Sequence, residues 1–377
     1  MTAIEDQNSQ IDKDWDAVTV GAGPAGSISA ALLAERGWRV LLVERSAWPR
    51  DKACGGCLNA GAVELLKGAG LGQVLAGAAE LARMQLRLGP RRLTIPLPGG
   101  VAIERRELDA RLVVQALARG AHFRPQTTAR LEPGDDGEAR TVHLTGGDTS
   151  VSVRARVVLA CDGLQGTLLA GESWTRLVTR KPARLGFAAT VNGAVAPPGV
   201  LSMCVGKAGY VGLVQLAGNR THVGAALWPE ACHAQHGARA VIAQLLRDCG
   251  QPELPLEDVN FRGTGPLTSR RDVVAGPRVL AIGDACGYVE PFTGEGLAWA
   301  IRGAVEASAL LPARPTDWHA GLIAAWQARF ESAVRQRQRW CWRLREVLRR
   351  PRLASACLTL AGLWPGAPAR LARRISA

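Results

Sequence analysis

Several shortages in this chain exclude whole classes of protein. No uninterrupted apolar run approaches the roughly 18 residues of a membrane-crossing helix. The nearest stretch, Leu353 to Trp364, contains Ser, Thr and Gly. Spanning helices are therefore excluded, and any membrane contact is peripheral. The six histidines (His122, His143, His222, His233, His236 and His319) show no paired spacing with cysteines or acids, so no metal site is expected. Cysteine is odd in number, nine in all, and scattered, and the start Met1-Thr-Ala-Ile-Glu-Asp6 is not a basic-then-apolar leader. Reduced thiols and a cytoplasmic location are expected, at the inner face of the membrane if lipid is bound. Lysine is scarce: only Lys13, Lys52, Lys67, Lys181 and Lys207 contribute to the 46 basic residues, and arginine carries the net charge of +13. No recognised nucleic-acid module accompanies that charge, so no nucleic-acid partner is expected.

What the chain does have is two glycine-rich segments more than 250 residues apart. The first, Gly21-Ala-Gly-Pro-Ala-Gly26, follows the apolar run Ala17 to Val20 and opens a helix-like stretch from Pro24 to Glu35. Gly21 permits the turn, Gly23 lets the backbone approach a pyrophosphate, and Gly26 lets helix and strand pack closely, with Pro24 and Ala25 in the first helical turn. Gly37 stops that helix. A second strand, Val40 to Val43, then ends in Glu44 at about the 20-residue offset of a ribose-binding acid. The second segment, Gly283-Asp-Ala-Cys-Gly287 through Pro291-Phe-Thr-Gly-Glu-Gly296, sits between the buried strand Arg278 to Ile282 and a helix starting near Glu295. In a flavoprotein, Asp284 beside Gly283 would hold the ribityl and pyrophosphate linker. The helix end at Gly294, Gly296 and Leu297 would then face flavin N1 and O2. Together the segments read as two halves of one FAD site.

The expected fold class is α/β (α+β): a Rossmann-like FAD-binding lobe, an inserted and mostly antiparallel β-sheet lobe for substrate, and a C-terminal helical tail. Residues 1–14 are expected to be disordered. The FAD lobe takes 15–84, 100–180 and 272–320, the substrate lobe 85–99 and 181–271, and a basic amphipathic helical region 321–377. In that tail Leu322, Trp326, Phe330 and Val334 recur every four residues, and twelve arginines from 328 onward face two glutamates. One reading packs this helix on the flavin lobe with a solvated arginine face. The other lays it on anionic lipid, with Trp340, Trp342 and Trp364 at headgroup level.

The motifs carry a family resemblance. Gly21 to Gly26, Glu44-Arg45, Lys52-Ala-Cys-Gly-Gly56, Arg105 with Leu108-Asp109, Cys161-Asp-Gly163 and Gly283 to Gly296 occur in the order seen in geranylgeranyl-reductase-like FAD-dependent oxidoreductases. These share the p-hydroxybenzoate-hydroxylase fold. The resemblance implies that Arg105 and the loop of Lys52, Cys54 and Gly55 flank the flavin, and that Asp162-Gly163 lies beside the pyrophosphate. Gly287 and Ala298 stand where aromatic hydroxylases carry His and Asn. Gly209-Tyr-Val-Gly-Leu-Val-Gln215 lacks the Trp-rich segment of flavin halogenases, but it also departs from the Tyr-x-Trp-x-Phe-Pro pattern of the reductases.

The expected protein is an FAD enzyme reduced by NAD(P)H that acts on a hydrophobic, isoprenoid- or polyketide-like molecule. The leading reaction is transfer of hydride from flavin N5 to a carbon–carbon double bond. Flavin-dependent monooxygenation and a non-catalytic FAD-bound scaffold are the alternatives. Catalytic residues are not identified; Tyr210, Tyr288, Pro291 and Phe292 are the candidates near the flavin. Cys54-Gly-Gly-Cys57 reads either as a flavin-lining loop or as a redox pair.

Overall fold

The computed structural model describes residues 12–134, 137–290 and 294–348. Pro291, Phe292, Trp364 and most of the expected N-terminal segment lie outside them.

Five parallel strands form the heart of the first lobe, in the order Val279–Ala281, Thr149–Ala160, Asp14–Val20, Val40–Val43, His122–Arg124. The strand Thr149–Ala160 shows how sequence pattern follows its neighbours. Its first half pairs antiparallel with Arg140–Gly146 and alternates exposed with buried residues, whereas Val157 to Ala160 lie between two parallel strands and are buried without interruption. Helices Pro24–Glu35 and Glu295–Leu310 pack along each other over this sheet.

The second sheet has seven strands: Arg262–Pro266, Leu185–Asn192, Arg220–Leu227, Gly209–Leu216, Val200–Gly206, Arg83–Leu88 and Arg91–Pro96. Alternation along each strand divides its faces. Val211, Leu213, Val223 and Leu227 pack under helix Ala238–Asp248 through Val241, Ile242, Leu245 and Leu246. Leu201, Met203, Tyr210, Val214 and Ala226 form the opposite face.

The C-terminal residues run as helix Gly321–Phe330, a π turn over Glu331–Arg335 and helix Gln336–Leu348. Leu322, Trp326, Phe330 and Val334 are all buried, and Trp326 Nε1 donates to the Ala281 carbonyl at 3.1 Å. Arginines hold the outer face, with Arg329 on Glu306 and Arg339 on Glu331, both at 2.6 Å. Over this stretch the helix packs on the first lobe. No helix among the described residues is long and apolar enough to cross a membrane.

Candidate functional site

Three neighbouring strands run parallel, with Val20 paired to Ala160 and Ala160 to Ala281. Their C-terminal ends therefore deliver Gly21, Cys161-Asp162-Gly163 and Gly283-Asp284 to one edge of the sheet, the usual place for a ligand in such folds. The sequence separates these motifs widely; strand register brings them together.

The edge is shaped for close backbone approach. A Cβ on Gly26 would collide with the Gly21 carbonyl, so only glycine lets the helix start this near the turn. Helix Pro24–Glu35 has no side-chain cap, and its N-terminus opens on the site. Arg105 and Arg50 both reach toward Gly23, and Lys52 Nζ toward Gly163. Asp109, fully buried, ties the two arginines: Arg105 Nε and Nη2 donate to it at 3.1 and 2.9 Å, and Arg50 Nη1 at 2.9 Å. Burial alone would lower the Arg105 pKa, but Asp109 outweighs it and keeps the guanidinium firmly protonated. Lys52 has less support. Burial, reinforced by Arg105 and opposed by Asp284, lowers its pKa. Three cations facing an uncapped helix N-terminus call for an anion.

The acids answer a different need. Glu44 Oε2 accepts from Ala22 N–H at 3.1 Å and Arg50 Nε at 3.0 Å, while Oε1 accepts from Ser46 N–H at 3.0 Å. Burial pushes its pKa up, but the Arg50 charge and these bonds prevail and hold it below the usual range. Asp162 Oδ2 accepts from Leu168 N–H at 2.8 Å, whereas its buried Oδ1 has no partner. Burial raises the pKa of both Asp162 and Asp284, against the bond from Leu168 at the first and against Lys52 and Arg105 at the second. Such carboxylates suit hydroxyl donors. Arg45, by contrast, is exposed and donates to Gln165 Oε1 at 3.1 Å.

Beyond the edge, a cavity of about 1200 Å³, open mouth included, extends to the second sheet. One wall is Gly23 to Ala25, Lys52 to Cys57, Arg105, Gly163 and Asp284, with Gly294, Gly296 and Leu297 at the N-terminus of helix Glu295–Leu310. That helix also has no side-chain cap. The facing wall is Phe187, Leu201, Met203, Tyr210 and Leu267, and Tyr288 lies at the junction of the two. Tyr288 packs edge-on to Trp299 at 6.2 Å. Burial raises the pKa of both tyrosines well above the ordinary value. Cys54 and Cys57 are free thiols, and burial pushes Cys57 up to about 12, too high for a ready thiolate. Behind Tyr210, Arg184 and Glu290 form a buried ion pair at 2.5 Å.

Sequence reasoning placed neither Arg50 nor Asn59 in the site. Asn59 caps helix Ala60–Gly68 through Oδ1 and donates from Nδ2 to the buried Glu295 at 2.6 Å, fixing the start of the second helix. Arg50 could have been suspected from its place two residues before Lys52. Asn59 carried no such signal.

The residues fit FAD. A cradle that rejects Cβ and a cluster of cations suit the diphosphate, the unpartnered Asp162 Oδ1 suits a sugar hydroxyl, and a second helix N-terminus stands beside the apolar wall. A family model described as FAD binding domain matches residues 14–336. The menaquinone reductase of Mycobacterium tuberculosis is 29% identical over 336 residues, covering 81% of this chain and 78% of that protein. Digeranylgeranylglycerophospholipid reductase 2 of Methanopyrus kandleri is 28% identical over 336 residues, covering 84% and 82%. Two solved structures share the fold at lower identity. The p-nitrophenol 4-monooxygenase of Pseudomonas putida superimposes with a TM-score of 0.80 at 16% identity, over 97% of each chain. A geranylgeranyl bacteriochlorophyll reductase-like protein of Thermoplasma acidophilum gives 0.73 at 19% identity, over 89% of this chain and 88% of its own. This chain belongs to the FAD-binding-domain family and is a geranylgeranyl-reductase-like FAD-dependent oxidoreductase.

Proposed function

We propose that the enzyme reduces a carbon–carbon double bond of a hydrophobic, isoprenoid-like molecule with electrons drawn from NAD(P)H. The observation that carries this reading is the two-sided cavity, cofactor-holding on one wall and apolar on the other. Two relatives are named as reductases of menaquinone and of a digeranylgeranyl glycerophospholipid, which agrees with such a wall. Bound FAD would supply the two-electron transfer.

The chain's own residues do the rest. Phe187, Leu201, Met203 and Leu267 exclude water and orient an apolar chain. The N-terminus of helix Glu295–Leu310 favours negative charge at the cofactor end beside it. Tyr288, at the junction of the two walls, carries a hydroxyl that burial keeps protonated, and its position makes it the candidate donor of the proton that completes a reduction.

The test is incubation of the yellow protein with NADPH or NADH and prenylated substrates, in parallel without oxygen and in air, followed by mass spectrometry. The reading expects a product heavier by two hydrogens, formed without oxygen. A product gaining one oxygen atom, formed only in air, would replace it with monooxygenation.

A further inference from the structure

The loop Lys52 to Cys57 forms the cofactor side of the cavity and reaches regular structure only at strand Cys57–Asn59. It is held from two directions. On the first lobe, Ile103 N–H donates to the Gly56 carbonyl at 2.9 Å. From the second sheet comes His222, 5% exposed, whose Nε2 lies 2.6 Å from the Cys54 carbonyl oxygen. Strand and loop also pack backbone to backbone. A Cβ on Gly224 would stand 3.0 Å from Gly55 Cα, and one on Gly56 would stand 3.0 Å from the His222 ring. His222 and Gly224, two apart, share the strand face that carries the loop.

Behind His222 the contacts continue. Nδ1 is 3.0 Å from Thr190 Oγ1, and Thr190 Oγ1 is 2.5 Å from Glu104 Oε1. Glu104 Oε2 accepts from Arg220 at 2.6 Å. Proton counting limits how these can all be hydrogen bonds. A carbonyl oxygen only accepts, so Nε2 carries a proton. Thr190 has one hydroxyl proton for two neighbours. Neutral imidazole, hydroxyl and carboxylate thus supply two protons for three contacts. The third must sit on His222 or on Glu104. Burial raises the Glu104 pKa, but the bonds from Thr190 and Arg220 outweigh it and keep the group ionised, which leaves His222 Nδ1.

We propose that His222 is the positioning residue of the cofactor-covering loop: protonated on both ring nitrogens, it donates through Nε2 to the Cys54 carbonyl and through Nδ1 to Thr190, which donates in turn to Glu104, and loss of the Nδ1 proton frees the ring from Thr190, so that Nε2 holds the loop less firmly. The groups facing the ring are Glu104 at the start of helix Arg105–Ala118, Arg220 on its own strand, Thr190 on the next strand and the Cys54 carbonyl. Burial lowers the His222 pKa, with Cys54 and Glu104 opposing and Arg220 adding to it. The chain therefore closes on the acid side of neutrality. The inference rests on FAD binding and is independent of which reaction the flavin then performs.

Hydrogen–deuterium exchange of the FAD-loaded full chain tests it. Amides 53–57 are followed at about pH 4.5 and about pH 8, the lower value chosen because burial carries His222 below the ordinary histidine range, after correction for intrinsic rates. The wild type is expected to be about 10-fold better protected at the lower pH, as for one hydrogen bond gained. His222→Ala should lose about 10-fold at the lower pH and release FAD faster. His222→Gln keeps a donor for Cys54 but takes up no proton, and Thr190→Val cuts the chain; both should abolish the pH dependence. Wild-type protection that does not change with pH would overturn the proposal. So would a pH effect that survives in H222Q and T190V, and these two variants decide the matter if H222A fails to fold.

Discussion

Arg105→Met separates cofactor binding from structural support. Arg105 is a buried cation bonded through two nitrogens to Asp109 and aimed at the glycine loop. Removing it leaves Asp109 paired with Arg50 through Oδ2 at 2.9 Å, while Oδ1 loses the bond from Arg105 Nε. Methionine preserves much of the side-chain volume, so the cost is that of one buried acceptor left short of a partner, about 1–3 kcal/mol. The apo protein should therefore melt a few degrees below wild type, well above the Asp109→Ala control. A diphosphate held at the glycine loop would lose a charge-assisted hydrogen bond of about 1.5–3 kcal/mol. That corresponds to a Kd for FAD raised roughly 10- to 150-fold. Asp109→Ala is the control, because it strips both arginines of their shared partner and should cost about 3–5 kcal/mol of stability. Fluorescence titration of apo-protein with FAD, alongside thermal melting, measures both quantities. If R105M keeps wild-type affinity but melts like D109A, Arg105 is a strut and the assignment to the diphosphate fails.

Three further outcomes can be checked in the same way. Glu290→Ala leaves Arg184 buried, with the rings of Trp228 at 4.4 Å and Tyr210 at 5.5 Å beside it, and should cost about 3–5 kcal/mol in urea unfolding. The double variant Arg184→Met, Glu290→Met should recover most of that loss, since the pair already carries unsatisfied Nε and Oε2 atoms. Gly26→Ala drives a methyl group into the Gly21 carbonyl, so protein purified from cells should lack flavin absorbance while retaining its circular dichroism. Glu44 has a folded pKa below its ordinary 4.5, so its contribution is fully present above that value and is lost as pH falls through the folded one. In Glu44→Gln the fall of stability in acid should be shallower, as read from urea midpoints against pH.

How much of this was legible in the sequence depends on distance along the chain. Gly21 to Gly26, Glu44 and the strands around them form a local unit, in which turn, helix start and acid are fixed within a few dozen residues. That Asp162 lies with Gly21 and Gly283 came from the family resemblance, and the parallel register of their three strands gives the physical reason. The tail's four-residue spacing of Leu322, Trp326 and Phe330 marked a buried face but not its partner, the strand ending at Ala281. Asn59 and Glu295 meet across 236 positions, and His222 reaches Cys54 across 168. Neither residue type at those places differs from an ordinary surface choice, because their function comes from tertiary geometry. His222 in particular lacked any nearby acid or cysteine in sequence, while its partners Glu104 and Thr190 come from other strands and helices.

One pair of adjacent residues couples the two walls of the cavity. Glu104 precedes helix Arg105–Ala118 and turns toward Thr190 and Arg220 on the second sheet, while Arg105 turns toward the glycine loop. Just upstream, strand Gly100–Ala102 pairs with Cys57–Asn59, the continuation of the covering loop. Strand Arg220–Leu227 is thus tied to Cys54 through His222 and to Glu104, at the start of the helix, through Arg220. The same strand contributes Gly224 to Ala226 to the cavity lining. A substrate seated against that lining would bear on the strand tied to the groups around FAD, and the expected outcome is slower FAD release with substrate bound. Weakening Glu104 should remove that effect. In Glu104→Gln, substrate should no longer slow FAD release, and release slowed as much as in wild type would show that the coupling runs elsewhere.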